Sequence, residues 1–258
     1  MNRLSAPVTG EYTVLAEVYD VLMSEVNYEL WADFIDEILL EHHSEPVEIL
    51  ELACGTGTLA LSLEEFDCYN ITATDASSKM IEKAREKAAA IDSSINFMTM
   101  NFLSIDLEQK FDAVYMVFDS INYLHTEKDI LKLFEQVRHV LNDKGIFIFD
   151  FTTPRNSVKS IKYLHNEKGK SKTNYDYYRT SSFDRKNRIH YNKFEIRLLD
   201  DNEQVIDTFR EIHKQKIYTY TEMKSIIDKS DLKILAAYDG FQLNPVHEKS
   251  LRITMVLQ

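Results

Sequence analysis

VEILELACGTGTLALSLEEF, residues 47–66, decides the fold. A short apolar run (47–53) leads into Gly55-Thr56-Gly57, and a helical pattern follows over 59–66. Glycines placed there let the backbone turn tightly and approach a ligand closely, which a Cβ would prevent. Outward from this unit the same plan repeats. Strand patterns at 69–74, 95–100, 111–118 and 146–151 alternate with helical patterns at 79–90 and 128–141. The run 146–151 is almost wholly apolar, as expected of a strand covered on both faces, and NDKG (142–145) before it reads as a turn. This alternation predicts an α/β fold with a doubly wound, mostly parallel sheet.

The flanks complete the picture. Residues 12–41 carry apolar positions at helical spacing and read as helical. After the fifth strand the pattern changes: 173–218 partly alternates Tyr, Phe and Ile with charged residues, as antiparallel strands do. Thr219-Tyr220-Thr221-Glu222 fits a capping box opening a helix to about 229, and strands at 233–239 and 251–257 finish a seven-stranded sheet. The expected organisation is a core of 1–154 and 219–258, with 155–218 as a β-rich insertion after the fifth strand.

Composition bounds the function. With 258 residues, 44% hydrophobic and 28% charged, the chain can build a real core. No apolar run approaches the roughly 20 residues needed to span a bilayer, and residues 1–11 lack the charged-then-apolar plan of a secretory signal. Cys54 and Cys68 form neither a metal-ligand spacing nor a disulfide framework, so no metal and a reducing cytosol are expected. The net charge of −12 argues against a general nucleic-acid binder, and no DNA partner is expected. Residues 155–220 nevertheless hold 15 Lys/Arg against 9 Asp/Glu, a balance of +6. That segment is either a solvated β-surface or a source of steering for an anionic substrate.

Ligands of open α/β sheets sit beyond the carboxyl ends of the strands. Here those ends carry ELACGTG (51–57); Asp75, eighteen residues after Gly57; Asn101-Phe102; and FDSINY (118–123). A carboxylate at Asp75 can accept both hydroxyls of a ribose, and Asn101 with Phe102 suits the edge and face of an adenine. GTGTLA (55–60) also satisfies the dinucleotide pattern. Against a nicotinamide enzyme stand the acidic Glu51 inside the strand, about 45 residues of helix before it, and Met80 one turn into the helix after Asp75.

Together these residues resemble the class I S-adenosylmethionine-dependent methyltransferases. ELACGTG is similar to the family's first motif, TDASSKM (74–80) to the second and MNF (100–102) to the third. FDAVYMVFDSINYL (111–124) is similar to the fourth and HVLNDKGIFIFD (139–150) to the fifth. Asn101 departs from the Asp that many members carry. YTVLAEVYDVL (12–22), the β-insertion and EIHKQKIYTYTEM (211–223) resemble bacterial small-molecule branches, which include N-methyltransferases of amino sugars and glycine. In those branches the N-terminal helix covers the cofactor and the insertion roofs the acceptor.

The resemblance implies S-adenosyl-L-methionine as cofactor, held by Tyr19, Glu51, Ala53, Gly55, Gly57, Asp75, Ala76, Met80, Asn101, Phe102 and Phe118. Glu51 would hold the ammonium, or else act as a charge near the N-terminus of the following helix. Tyr19 fits either the methionine end or a buried helical stripe; Trp31 reads as core, and Cys54 as a small residue in a tight turn. For the acceptor, Asp119 and Tyr123 are the expected binding residues, and Tyr123 and His213 the candidate catalytic ones. Tyrosine's ordinary pKa near 10 makes it a poor base at neutral pH, and a lone His on a strand also serves structural roles. The expected partner is a small polar acceptor with an amine or hydroxyl and an anionic group, such as a nucleotide-linked sugar, and the expected state is a monomer or homodimer. A tRNA or protein methyltransferase and a non-catalytic S-adenosylmethionine-binding module stand as alternatives.

Overall fold

A computed structural model describes residues 8–258. Residues 1–7, part of the stretch without a signal plan, lie outside the described residues. The seven-stranded sheet has the order β10-β11-β5-β4-β1-β2-β3. In chain order its strands are β1 (Glu48–Leu52), β2 (Asn70–Asp75), β3 (Asn96–Thr99), β4 (Phe111–Met116) and β5 (Leu141–Thr152). β10 (Ile234–Asp239) and β11 (Arg252–Leu257) close the sheet. β1 pairs in parallel with both β2 and β4, and only β11 runs against its neighbours. Between β1 and β4 the order of strands reverses, which opens a crevice at their carboxyl ends.

The period of two along each strand sorts the core. Ile49, Ala113, Tyr115 and Ile148 face helices α2 (Tyr28–His42), α3 (Thr58–Glu64) and α4 (Ser78–Ala90). Leu50, Val114, Phe147 and Phe149 face α5 (Glu127–Val140) and α7 (Tyr220–Ile227) on the other side. Both faces are therefore buried, which explains the unbroken apolar run of β5. Among the described residues, no helix is long and apolar enough to cross a membrane.

Above the crevice lies a four-stranded antiparallel sheet, β6 (Glu167–Lys170), β7 (Tyr175–Asp184), β8 (Ile189–Leu199) and β9 (Val205–Lys216). The N-terminal segment runs along its β9 edge, with Thr9 N–H donating to the Arg210 carbonyl at 2.9 Å. A third small core of Leu15, Val18, Tyr177, Phe194 and Ile196 binds the two together.

Residues 12–41 are helical in pieces: a 3-10 turn at Leu15–Glu17, a short α1 (Tyr19–Leu22) and α2, which starts where Asn27 Oδ1 accepts the Leu30 N–H at 3.1 Å. Two sequence expectations change. The segment after β5 opens not with strands but with a helix, α6 (Pro154–Leu164), capped by Thr153 with Pro154 in its first turn. NDKG is not a free turn. It is an irregularity inside β5, whose Leu141 still pairs with Phe111 before the register shifts and Ile146 pairs with Ala113.

Candidate active site

The loop after β1 is shaped by left-handed backbone. Ala53, Gly55 and Gly57 take φ values of 56°, 57° and 75°. At Ala53 that conformation is unfavourable for an L-residue, and such strain tends to be kept where function demands it. Asp75, at the end of β2, braces this loop: its Oδ2 accepts the Gly55 N–H at 2.9 Å and its Oδ1 the Ser77 N–H at 2.8 Å. Burial pushes the Asp75 carboxyl up, and those two N–H groups work against the rise. Ser77 caps α4 by accepting the Met80 N–H and donates its hydroxyl to the Tyr12 carbonyl at 2.7 Å.

A cavity of about 320 Å³ opens over this loop. Glu51, Ala53 and Gly55 line its floor, Asp75, Ala76 and Met80 one wall, and Asn101 and Phe102 another. Tyr19 and Phe118 border it on the side of the second sheet. Gly57 does not line it. A Cβ there would meet the Phe97 ring at 2.6 Å and Ala84 at 2.9 Å, so this glycine serves the packing of α3 on β3 and α4. Asn101 lines the cavity with its Oδ1 engaged by the Leu103 N–H at 2.8 Å. Cys54 is buried, and burial pushes its thiol well above its ordinary value, which disfavours the thiolate.

Glu51 is the diagnostic residue. It is 2% exposed, and its Oε2 has no hydrogen-bond partner. Burial raises its carboxyl to about 8. A buried acid with a free oxygen on the wall of a cavity is stabilised by a bound cation. These acceptors therefore fit a ligand that donates from an ammonium to Glu51 and from hydroxyls to Asp75, as S-adenosylmethionine can.

A larger chamber of about 860 Å³ adjoins this cleft, and Tyr12, Tyr19, Phe118 and Tyr123 line both. At that junction the side chains form a chain of hydrogen bonds. The Tyr12 and Tyr123 hydroxyls lie 2.6 Å apart, Tyr123 Oη is 3.0 Å from His213 Nδ1, and His213 Nε2 is 3.1 Å from Glu211 Oε2. Glu211 is fully buried, and it also accepts the backbone N–H groups of Tyr12, Val14 and Leu15 at 2.6–2.9 Å. Burial alone would raise its carboxyl, but His213 and those amides outweigh it and hold it below the usual range. An ionised Glu211 accepts only, so His213 Nε2 donates to it and Nδ1 faces the Tyr123 hydroxyl. Tyr123 and His213 are thus brought together; Tyr12 and Glu211 went unremarked as site residues. The signal for Glu211 was its spacing of two from His213, which puts both on one face of β9.

Asp119 also lines the chamber, but its oxygens are engaged. Arg252 holds Oδ1, and Gln215 Nε2 donates to Oδ2 at 2.5 Å. Arg252 also bonds the buried Asp150, which accepts the Asp119 N–H at 2.9 Å. Phe118 and Asp119 are consecutive left-handed residues, at φ 59° and 52°, so the chain bends sharply where β4 delivers them to the site. Trp31, expected in the core, is buried against Phe118 and Phe241 and also forms chamber wall.

The basic charge of the insertion lies elsewhere. Arg197 pairs with Asp176 and Arg210 with Glu195, each directly across a ladder, and Lys170 pairs with Glu203. Among the described residues, Arg179 and Arg252 are the cations that line the chamber, and both are bound to carboxylates.

Comparison with known proteins falls on the same elements. The model of a methyltransferase domain family matches residues 49–145. YqeM of Bacillus subtilis, named as a methyltransferase, is 36% identical over 140 residues, which are 54% of this chain and 54% of that protein. The match spans about half the length of such curated relatives. The solved structure of an S-adenosylmethionine-dependent methyltransferase from Clostridium acetobutylicum is similar over 95% of this chain and 97% of its own, with a TM-score of 0.77 at 26% identity. The sugar N-methyltransferase KedS8 from Streptoalloteichus shares the fold over 99% of this chain and 98% of its own, with a TM-score of 0.73 at 18% identity. The family match covers the strands and loops that build the smaller cavity, and over these elements the chain is similar to S-adenosylmethionine-dependent methyltransferases.

Proposed function

We propose that this protein methylates a nitrogen or oxygen of a small polar acceptor seated in the larger chamber. The observation that carries the reading is the junction, where two cavities meet at the head of the Tyr12–Tyr123–His213–Glu211 chain. S-adenosylmethionine supplies a methyl group on a sulfonium leaving group that is already activated. The protein's task is then alignment, exclusion of water and, for an acceptor that must lose a proton, its removal. Glu51 would hold the ammonium and Asp75 the ribose; Met80 and Phe102 would flank the adenine.

The hydrogen-bond directions suit proton removal. Tyr123 can take a proton from the acceptor as it passes its own to His213 Nδ1. Burial holds the Tyr123 hydroxyl well above its ordinary value, so a free tyrosinate is disfavoured and the two transfers proceed together. The imidazolium that results is paired with Glu211. Residues 155–218 act in this reading as the acceptor's cover, opened by α6. Their lysines do not line the chamber, and both lining arginines are paired, so we favour a neutral or cationic acceptor over an anionic one. Free Cys54 and Cys68 accord with a cytosolic setting.

Methyl transfer from labelled S-adenosylmethionine to a panel of polar amines and alcohols tests the proposal. Tyr123→Phe and His213→Gln should each lower kcat by roughly 10²–10⁴-fold, the usual weight of general base catalysis, with cofactor affinity retained. Turnover at the wild-type rate in both variants would remove the proton chain from the mechanism.

A further inference from the structure

Phe118 and Asp119 are consecutive non-glycine residues in the left-handed region, and one of them is aromatic. Backbone of this kind is costly and persists only where its surroundings over-determine it. Phe118 also lines both cavities, so its ring is wall that a ligand on either side would touch. The group that holds this bend is Arg252, at the start of β11.

Arg252 reaches the bend by two routes. The first is polar. One of its terminal nitrogens donates to Asp150 on β5 and the other to the Asp119 carboxylate. The remaining Asp150 oxygen accepts the Asp119 N–H at 2.9 Å, which closes a ring of hydrogen bonds around the side chain and backbone of Asp119. Gln215 Nε2 then ties the other Asp119 oxygen to β9 at 2.5 Å. The second route is aromatic. The guanidinium carbon lies 6.0 Å from the Trp31 ring centroid and 5.8 Å from that of Phe241, where a cation is attracted to the ring face. Trp31 in turn packs on Phe118, with centroids 4.3 Å apart. Phe118 is therefore held through its backbone on one side and its ring on the other.

Resting on the proposed function, we infer that Arg252 is the positioning residue of the junction: it locks the Phe118–Asp119 bend, so that ligands in the two cavities are held in register for methyl transfer. In-line displacement needs that register, since a misplacement of about 1 Å can cost on the order of 10²-fold. Two carboxylates share the one guanidinium, which leaves Arg252 no charge to offer an anion in the chamber. The task also requires arginine. Its planar fork presents two nitrogens in fixed geometry, whereas lysine presents one.

Trp31 is the single tryptophan of the chain, so its fluorescence reports on the junction. In the full wild-type chain, S-adenosylhomocysteine should shift the Trp31 emission saturably, because a ligand in the smaller cavity touches Phe118 and Phe118 packs on Trp31. Arg252→Lys should reduce the amplitude of that shift at least threefold while calorimetry keeps S-adenosylhomocysteine affinity within threefold. Arg252→Ala should lose the shift and regain at least half of it when methylguanidinium is added, which a general loss of stability would not do. Asp150→Asn loosens the clamp from its other side and should match Arg252→Lys even where the arginine variants fail to fold. An undiminished shift in the variants that fold, a lost shift that methylguanidinium does not restore, or no shift in a wild-type chain that binds S-adenosylhomocysteine overturns the assignment. Affinity that falls as far as the emission shift would make Arg252 a support of the cofactor cleft alone, and also overturns it. Failure of the wild-type chain to bind S-adenosylhomocysteine would instead defeat the proposed function itself.

Discussion

Glu51 shows how one buried atom governs two measurable properties. Its carboxyl is held near 8, whereas in the unfolded chain it titrates in the ordinary range near 4.5. Between those values the native chain keeps a proton that the unfolded chain has released. Glu51 therefore works against the fold as pH rises from about 4.5 to 8, at ~1.4 kcal/mol per unit of pKa difference. A cofactor ammonium beside it reverses the preference by favouring the carboxylate. Binding of S-adenosylhomocysteine at pH 7 should then release close to one proton, read from calorimetry in two buffers of different ionisation enthalpy. Glu51→Gln should abolish the release and flatten the pH dependence of apoprotein stability. A buffer-independent heat with the wild-type chain would contradict this account. Residues of this kind were legible because their motif is local: Glu51, Gly55 and Asp75 sit on strand ends a few positions from the glycine turn. Glu211 was harder to see: His213 lies two residues on, but the Tyr12, Val14 and Leu15 amides it holds lie about two hundred residues back. Gly57 was visible as a glycine, but its reason, the Phe97 ring against its Cα, lies forty residues on.

At the scale of elements, α4 does more than flank the sheet. Its Lys87 donates to Asp20 of α1 and to the hydroxyls of Thr56 in the glycine loop and Thr58 at the start of α3, at 2.7–2.9 Å. Burial lowers the Lys87 pKa, and Asp20 opposes the shift. Lys87→Met should leave α1 untethered and the loop less ordered. Hydrogen bonds to charged groups contribute roughly 1.5–3 kcal/mol, so cofactor affinity should fall about tenfold. Limited proteolysis should also become faster within 8–27; equal cleavage rates and equal affinity would argue against the tether. The strands of the parallel sheet were readable because burial on both faces leaves long apolar runs. The helices were less so. Residues 12–41 keep helical spacing across a break, because Asn27 restarts the backbone without disturbing the apolar stripe. α6 announced itself only through Thr153-Pro154, a cap and first-turn pair overshadowed by the strand-like residues that follow.

Across the whole molecule, two sheets divide the work. The parallel sheet builds the smaller cavity from its strand ends, and the antiparallel sheet lays its inner face over the larger chamber. Away from the chamber, Arg197–Asp176, Arg210–Glu195 and Lys170–Glu203 are solvent-exposed ion pairs, each worth ~0–1 kcal/mol, and no lysine of the insertion lines the chamber, so raising salt should change acceptor affinity little. Where the charge would lie was beyond the sequence, because alternation along a strand does not say which face is covered.

Glu211 has a wider reach than its bond to His213. By holding the amides of Tyr12, Val14 and Leu15, it keeps a strap closed over the junction, with Tyr12 on the boundary of both cavities. On the proposed function, with the strap closing after S-adenosylmethionine enters, the acceptor should bind second, the methylated product should depart first and S-adenosylhomocysteine last. The expected steady-state signature is a compulsory order of addition, with S-adenosylhomocysteine competitive against the cofactor and noncompetitive against the acceptor. Glu211→Gln should shorten the residence time of S-adenosylhomocysteine in stopped-flow release while slowing the chemical step, so that the slow event in each cycle moves from the exit of the nucleoside to the transfer of the methyl group.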